Sequence, residues 1–431
     1  MQNDNSYIFF YSHVERHFMS TLIGHLYILC RKHKVLLFSY GLSEKSLNIL
    51  KNKNLFKNLL IVNIDKSDNN QGLLGQVKEF KANVKIFDNC FKQYHCKTLI
   101  TSSDWHSLNE LYLMRKAKQK KSFRISIQES VHVDTHLRKE WVALQNRKLT
   151  SNLFYSKILN NIYVSILFFL KYVFFQIIIP LFAVRLPFFT MKTIFLWSGG
   201  SGSNQSNFHL VFSEYEKNQY IKSGVNKEKL LTIAHPFTIK ELKPLFDLLF
   251  PYKFKESDSI LISMDLIYDH FYKNKNSYSK NEKTKDTISI LKDLSIIFNE
   301  KNILIKPHPE SIHFDTFPYI ISELEEFENI EFLNPTIPIE TFFKNVDTLV
   351  CLPPAFSSSL VFFKLFSPEK NAIAIDFYNE YLGDVFKNGE YGINYVTSLE
   401  NLKSIVKDKD IKKERFNYDF QDINFFLETK K

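Results

Sequence analysis

Ile303-Leu304-Ile305-Lys306-Pro307-His308-Pro309-Glu310 is the stretch on which the fold turns. Three successive apolar residues read as a strand buried on both faces, and the prolines on either side of His308 end it in a restrained loop. Leu352-Pro353-Pro354-Ala355-Phe356-Ser357-Ser358-Ser359 repeats the pattern, with a strand end leading into hydroxyls at the start of an apolar helix. Ligands of open α/β sheets sit beyond the carboxyl ends of the strands, and the free N–H groups of a helix start favour a phosphate. The two stretches together describe a pocket for a nucleotide phosphate.

Working outward, apolar runs at 260–264, 303–306, 330–333, 348–352 and 372–376 read as strands. They alternate with helical patterns at 283–299, 339–344, 357–365 and 399–407, the rhythm of a parallel sheet. The first part of the chain has the same rhythm, with strands expected at 7–11, 35–39, 59–63, 98–102 and 123–128 and helices at 14–31, 76–93 and 107–118. It lacks Gly-x-Gly-x-x-Gly, so nothing there points to a dinucleotide. A further strand at 209–213, helix at 214–223 and strand at 230–233 end at His235-Pro236, and 237–249 reads as a connector. The expected fold class is α/β and GT-B-like, with two Rossmann-like domains facing a central cleft. The expected domains are 1–240 on the acceptor side, 241–415 for the nucleotide sugar, and a tail, 416–431, packing back on the first domain.

A chain of 431 residues has room for two such domains. The 42 Phe and 21 Tyr against 11 Gly leave two readings open, aromatic residues facing lipid or a genome of biased base composition. A formal net charge of +10 favours anionic partners such as a phospholipid surface or a phosphorylated sugar donor. Nucleic acid is the weakest candidate, because the lysine groups at 116–121 and 407–415 lack interleaved aromatic residues. Cys30, Cys90, Cys96 and Cys351 show no paired spacing and read as reduced, buried thiols. No secretory signal precedes the first strand, so a cytoplasmic location is expected, peripheral at the inner face of the cytoplasmic membrane. The apolar stretch 162–184 carries the membrane reading as an in-plane helix or hairpin, against a buried core or dimer helix and a true span. Residues 197–203, the glycine-dense segment, read as a flexible loop.

His308 is positioned to donate to a phosphate oxygen of a departing nucleotide, with Lys306 adding electrostatic support. Glu310 either accepts from ribose hydroxyls or caps the next helix, and Ser357, Ser358 and Ser359 form a phosphate-binding turn. His13 and His17 after the first strand and Asp104 after the fourth are cleft candidates from topology; His132 and His136, four apart, are read as acceptor or donor contacts, as ordinary surface or core histidines, or as a metal pair for which no third ligand is evident.

Lys306-Pro307-His308-Pro309-Glu310 followed by Ser357-Ser358-Ser359 resembles the HP and serine motifs of GT-B bacterial sialyltransferases, polysialyltransferases and related capsule or lipopolysaccharide glycosyltransferases. The stretch from Val211 through Gly224-Val225 to His235-Pro236 looks like the segment before the interdomain crossover in capsule polysaccharide biosynthesis proteins. The resemblance implies transfer of an acidic sugar, sialic-acid-like or Kdo-like, from a CMP donor to a surface glycan. It also implies a general base in an acidic motif ending in glycine, which here reads Ile127-Gln128-Glu129-Ser130. Gln128 replaces the first acid and Ser130 the glycine, so Glu129 alone carries over as the base. Direct displacement with inversion is the default mechanism. No metal or other cofactor is expected, since no convincing Asp-x-Asp motif exists. The alternatives are a UDP-sugar or CDP-glycerol-type transferase and, from another class, a non-catalytic GT-B-like scaffold. The serine-hydrolase and P-loop signatures are absent.

Overall fold

The structure is a computed structural model that describes residues 5–12, 14–64, 72–104, 107–128, 205–222, 225–252, 259–264, 280–313, 315–352, 358–377, 392–407 and 421–429. The chain divides into two compact units, each built on one parallel sheet. In the first, β1 (Ser6–Ser12), β2 (Val35–Tyr40), β3 (Leu59–Ile64), β4 (His95–Thr101), β5 (Phe123–Ile127), β6 (Phe208–Val211) and β7 (Leu230–Thr232) are ordered β3-β2-β1-β4-β5-β6-β7. All six pairings are parallel. β1 is an unbroken apolar run because it lies between two strands with packing on both faces, and Phe9, Phe10 and Tyr11 are fully buried. The edge strand β3 is largely half-buried.

Phe9, Tyr11 and Phe38 pack with Phe87, Phe91 and Leu113 from the helices Gly72–Gln93 and Leu108–Gln119. Edge-to-face contacts run through this core, Phe9–Phe91 at 4.9 Å and Phe38–Phe87 at 5.0 Å, each adding about 0.5–1.5 kcal/mol beyond burial. Phenylalanines in these described cores are thus structural. The single helix expected over 14–31 is instead a short helix Glu15–His17, a π-helical turn Phe18–Leu22 and a helix Ile23–Lys32. Ser20 Oγ donates to the His17 carbonyl at 3.4 Å within the widened turn, competing with the backbone ladder.

The second unit holds β8 (Ser259–Met264), β9 (Asn302–Pro307), β10 (Ile330–Phe332), β11 (Thr348–Cys351), β12 (Asn371–Ile375) and β13 (Ile393–Val396) in the order β10-β9-β8-β11-β12-β13, again all parallel. Residues at alternate positions, Ile260, Ile262, Ile303, Ile305, Val350 and Ile373, form one core with Leu291, Leu294 and Leu402. The other face meets the 3-10 segment Ile339–Asn345 and the helix Ser358–Phe366, where Phe343 and Phe363 stack edge to face at 5.2 Å. β13 escapes the apolar-run criterion because only its two terminal residues are buried; it follows Gly392, whose φ of 64° suits glycine. The expected connector is itself structured, with 3-10 turns Pro236–Thr238 and Lys240–Leu242 and a helix Lys243–Leu249.

The C-terminal helix Ile423–Thr429 belongs to the first unit. Asn424 Nδ2 donates to the Ile28 carbonyl at 3.2 Å, Glu428 pairs with Lys32 at 3.1 Å, and Phe426 meets Phe123 and Phe208. All four cysteines are buried and none is in a disulfide; burial pushes the thiols of Cys30 and Cys96 up to about 12 and that of Cys90 to about 11. Among the described residues no helix is long and apolar enough to cross a membrane, and the stretch 162–184 lies outside them.

Candidate functional site in the second unit

Strand order reverses between β8 and β11, since β9 and β10 lie to one side of β8 and β11, β12 and β13 to the other. In a doubly wound sheet this switch point opens a crevice at the carboxyl edge. At the carboxyl ends of these strands stand Met264 of β8, His308 directly after β9, Leu352 after β11 and Asp376 after β12. Neighbouring strands stand about 4.8 Å apart, so the ends of β9 and β11 are about 10 Å apart, across β8. The two stretches singled out in the sequence therefore share one edge of one sheet.

His308 is half-buried. Its backbone N–H donates to the Met264 carbonyl at 2.9 Å, and its carbonyl accepts from the Ser311 N–H at 2.9 Å, so the loop is tied both to β8 and to its own 3-10 turn, Pro309–His313. Glu310 lies in that turn. Lys306 pairs with Ser263 in the ladder and is 5% exposed. Its Nζ donates to the carbonyls of Pro307 at 2.7 Å and Pro335 at 2.8 Å. The cation thus fixes the turn that presents His308. Burial raises the Glu340 carboxyl while the Lys306 charge opposes the rise. After β11, the helix Ser358–Phe366 starts at Ser358, with Ser359 half-buried in its first turn; Ser357 lies outside the described residues. The Tyr395 hydroxyl donates to Asp376 Oδ2, fixing an acid at the end of β12 that the sequence reading did not single out.

The first unit also reverses strand order, between β1 and β4. His17 closes the short helix after β1. Asp104 is fully buried, and its Oδ2 accepts from the Ser206 hydroxyl at 2.9 Å and N–H at 3.3 Å, tying the turn after β4 to the segment before β6. Gln128, immediately after β5, donates to Glu216 and accepts from the Phe212 N–H at 3.1 Å. Ser213 and Glu216 cap the helix Glu214–Lys222, with Glu216 N–H to Ser213 Oγ at 3.1 Å and Ser213 Oγ to Glu216 Oε2 at 3.3 Å. Burial pushes the Glu216 carboxyl up to about 8, against the lowering effect of these hydrogen bonds, so it is chiefly protonated at neutral pH. The Ser213-x-x-Glu216 spacing was the available sequence signal for this network. Glu129, His13, His132 and His136 lie outside the described residues. Among the described residues no group of three or more His, Cys, Asp and Glu side chains is arranged to hold a metal ion.

No protein-family model matches the sequence, and no curated protein matches it. Solved structures do. UDP-GlcNAc 2-epimerase from Methanocaldococcus jannaschii is similar at 11% identity and a TM-score of 0.55, over 98% of this chain and 99% of that one. UDP-GlcNAc 2-epimerase from Neisseria meningitidis, bound to UDP-GlcNAc, is similar at 11% identity and a TM-score of 0.50, over 95% of each chain. At this identity the likeness shows the fold, α/β and GT-B-like with two Rossmann-like units.

Proposed function

We propose that the chain is a nucleotide-sugar-dependent enzyme, a GT-B-type glycosyltransferase of surface-glycan synthesis with a UDP-sugar donor. The observation that carries this reading is the shared carboxyl edge of β9, β8 and β11, which presents His308 and a serine-rich helix start at the switch point of a six-stranded parallel sheet. The similar fold of a UDP-GlcNAc 2-epimerase bound to UDP-GlcNAc supports UDP as the nucleotide. His308 donates to the β-phosphate as the glycosidic bond breaks, and the helix N-terminus offsets the charge left on the departing UDP. Lys306 acts by holding the turn, since its ammonium already serves two carbonyls. Glu129 takes the acceptor hydroxyl proton, and Glu310 receives ribose.

The CMP-linked acidic sugar is the second reading, favoured by the spacing from Lys306-Pro307-His308 to Ser357-Ser358-Ser359. Slow hydrolysis of a panel of UDP-, CDP- and CMP-activated sugars separates the two. Turnover of a UDP-sugar that is lost in His308→Ala supports the first reading, and turnover confined to a CMP-sugar replaces it with the second. If wild-type protein neither binds nor hydrolyses any donor, a non-catalytic scaffold is left standing.

A further inference from the structure

In the first unit, three titratable side chains lie around Phe212, the residue after β6. His25 stacks on the Phe212 ring at 5.8 Å with an interplanar angle of 7°, and His235 meets the same ring edge-on at 4.7 Å. Glu216 shares Gln128 with the Phe212 N–H. Both imidazoles are buried, His25 completely, and neither ring nitrogen of His25 has a hydrogen-bond partner. An imidazolium at His25 would bring a second N–H with nothing to receive it, and one at His235 would lose the bond that its Nδ1 accepts from the Phe237 N–H at 3.4 Å. The location ties this cluster to the chain path. His235 opens the 3-10 turn Pro236–Thr238, which leads out of the first unit, and Ala234 beside it donates to the Gln421 carbonyl, where the chain returns as the C-terminal helix. That helix packs on Ile23–Lys32, the helix that carries His25.

We propose that His25, Phe212 and His235 form an acid-sensitive latch that fastens the segment Pro236–Leu242 and the helix Ile423–Thr429 to the first unit. The cluster is shut only while both imidazoles are neutral, and proton uptake favours the open arrangement in which water can reach them. The acid beside Phe212 is Glu216, from the helix Glu214–Lys222, which burial holds chiefly protonated at neutral pH and which is committed to Gln128 and Ser213. Of the acids on the neighbouring elements, Glu15 is bonded to Ser43 and Ser46, Glu214 to Lys217 and Thr232, and Glu428 to Lys32 at the other end of the His25 helix. Burial, joined at His235 by the neighbouring His25 imidazole, holds His25 and His235 near 3 in the closed form. A released histidine titrates near 6.5, so the open population grows by about 30-fold per histidine between pH 8 and pH 5, or roughly 10³-fold for the pair.

Hydrogen exchange of the whole chain at pH 5 and pH 8, corrected for intrinsic rates, tests this. The Thr238, Ile239 and Leu242 amides, which close the turns of the outgoing segment, and those of Ile423–Thr429 are expected to lose protection by about 10²–10³-fold in acid. β8 and β9 amides should change little. His25→Phe, which keeps a ring against Phe212, should remove about 30-fold of the effect. Equal loss of protection in β8 and β9, or an unchanged pH dependence in His25→Phe, overturns the latch. If that variant does not fold, imidazole NMR of the wild type decides: His25 and His235 titrating near 6.5 with the segment still protected contradicts it, and neutral rings until protection is lost support it.

Discussion

At the carboxyl edge of the first sheet, Gln128, Ser213 and Glu216 bond to one another as a buried neutral network, and two neutral histidines flank Phe212 beside it. The second unit instead sets ammonium groups against main-chain carbonyls. Lys306 donates to Pro307 and Pro335, Lys364 to Pro368 and Lys370, and Lys370 to Phe343 and Lys344. Both devices satisfy turn backbone, but they differ in what disturbs them. The buried histidines change charge in the range a cell meets only once they are released to water, and the raised Glu216 carboxyl titrates within it. The proposed latch makes the first unit the one that answers to pH, while in the second Lys306 fixes the turn that carries His308.

The sharpest way to break the second device is Lys306→Met. It leaves the Pro307 and Pro335 carbonyls without their buried donor, and a loss of about 3 kcal/mol is expected. Urea unfolding read by thiol labelling separates the units, because Cys351 reports on the second and Cys30 on the first. The Cys351 midpoint should fall while that of Cys30 stays. Next in size is His308→Ala, expected to cut donor turnover by about 10²-fold with both midpoints kept, as for removal of a single donor to a developing charge. Equal activity in the variant would detach the HP stretch from the chemistry.

pH sharpens the comparison from the other side. His25 and His235 sit near 3 in the folded chain against an ordinary 6.5, so the unfolded chain binds more protons between those values. Their contribution is present above pH 6.5 and lost as pH falls toward 3. Glu216, raised to about 8, has the opposite sign: its contribution is present below its ordinary carboxyl value and lost as pH rises through 8. With two histidines against one glutamate, acid is expected to unfold the first unit before the second, measured by hydrogen exchange of β1 against β8 in urea at pH 7 and pH 5. Glu216→Gln is the smallest perturbation. It should cost less than about 1 kcal/mol at pH 7, where the native carboxyl is chiefly neutral, and should flatten the loss of stability toward pH 8.

The fold was largely legible because buried parallel strands are written as uninterrupted apolar runs, as in Tyr7-Ile8-Phe9-Phe10-Tyr11 and Ile260-Leu261-Ile262. β13 was not, since a half-buried strand of four residues carries no such run. Of the site, His308 and the helix start at Ser358 were legible from proline and serine placement. The direction of a long side chain was not. Nothing in the sequence told that Lys306 turns to Pro335, or that Asp104 turns to Ser206, because both depend on segments brought close only by folding. His25 reads as one polar residue on an apolar helix, and only the contact with Phe212 gives it significance.

A thermal-shift titration with UDP, CDP, CMP and GDP, on wild type and His308→Ala, tests the central claim most directly. The account expects selective stabilisation by UDP, about 2.7 kcal/mol when ligand reaches a hundred times its dissociation constant, and its loss in the variant. Stabilisation by no nucleotide, or UDP stabilisation that survives His308→Ala undiminished, would contradict it.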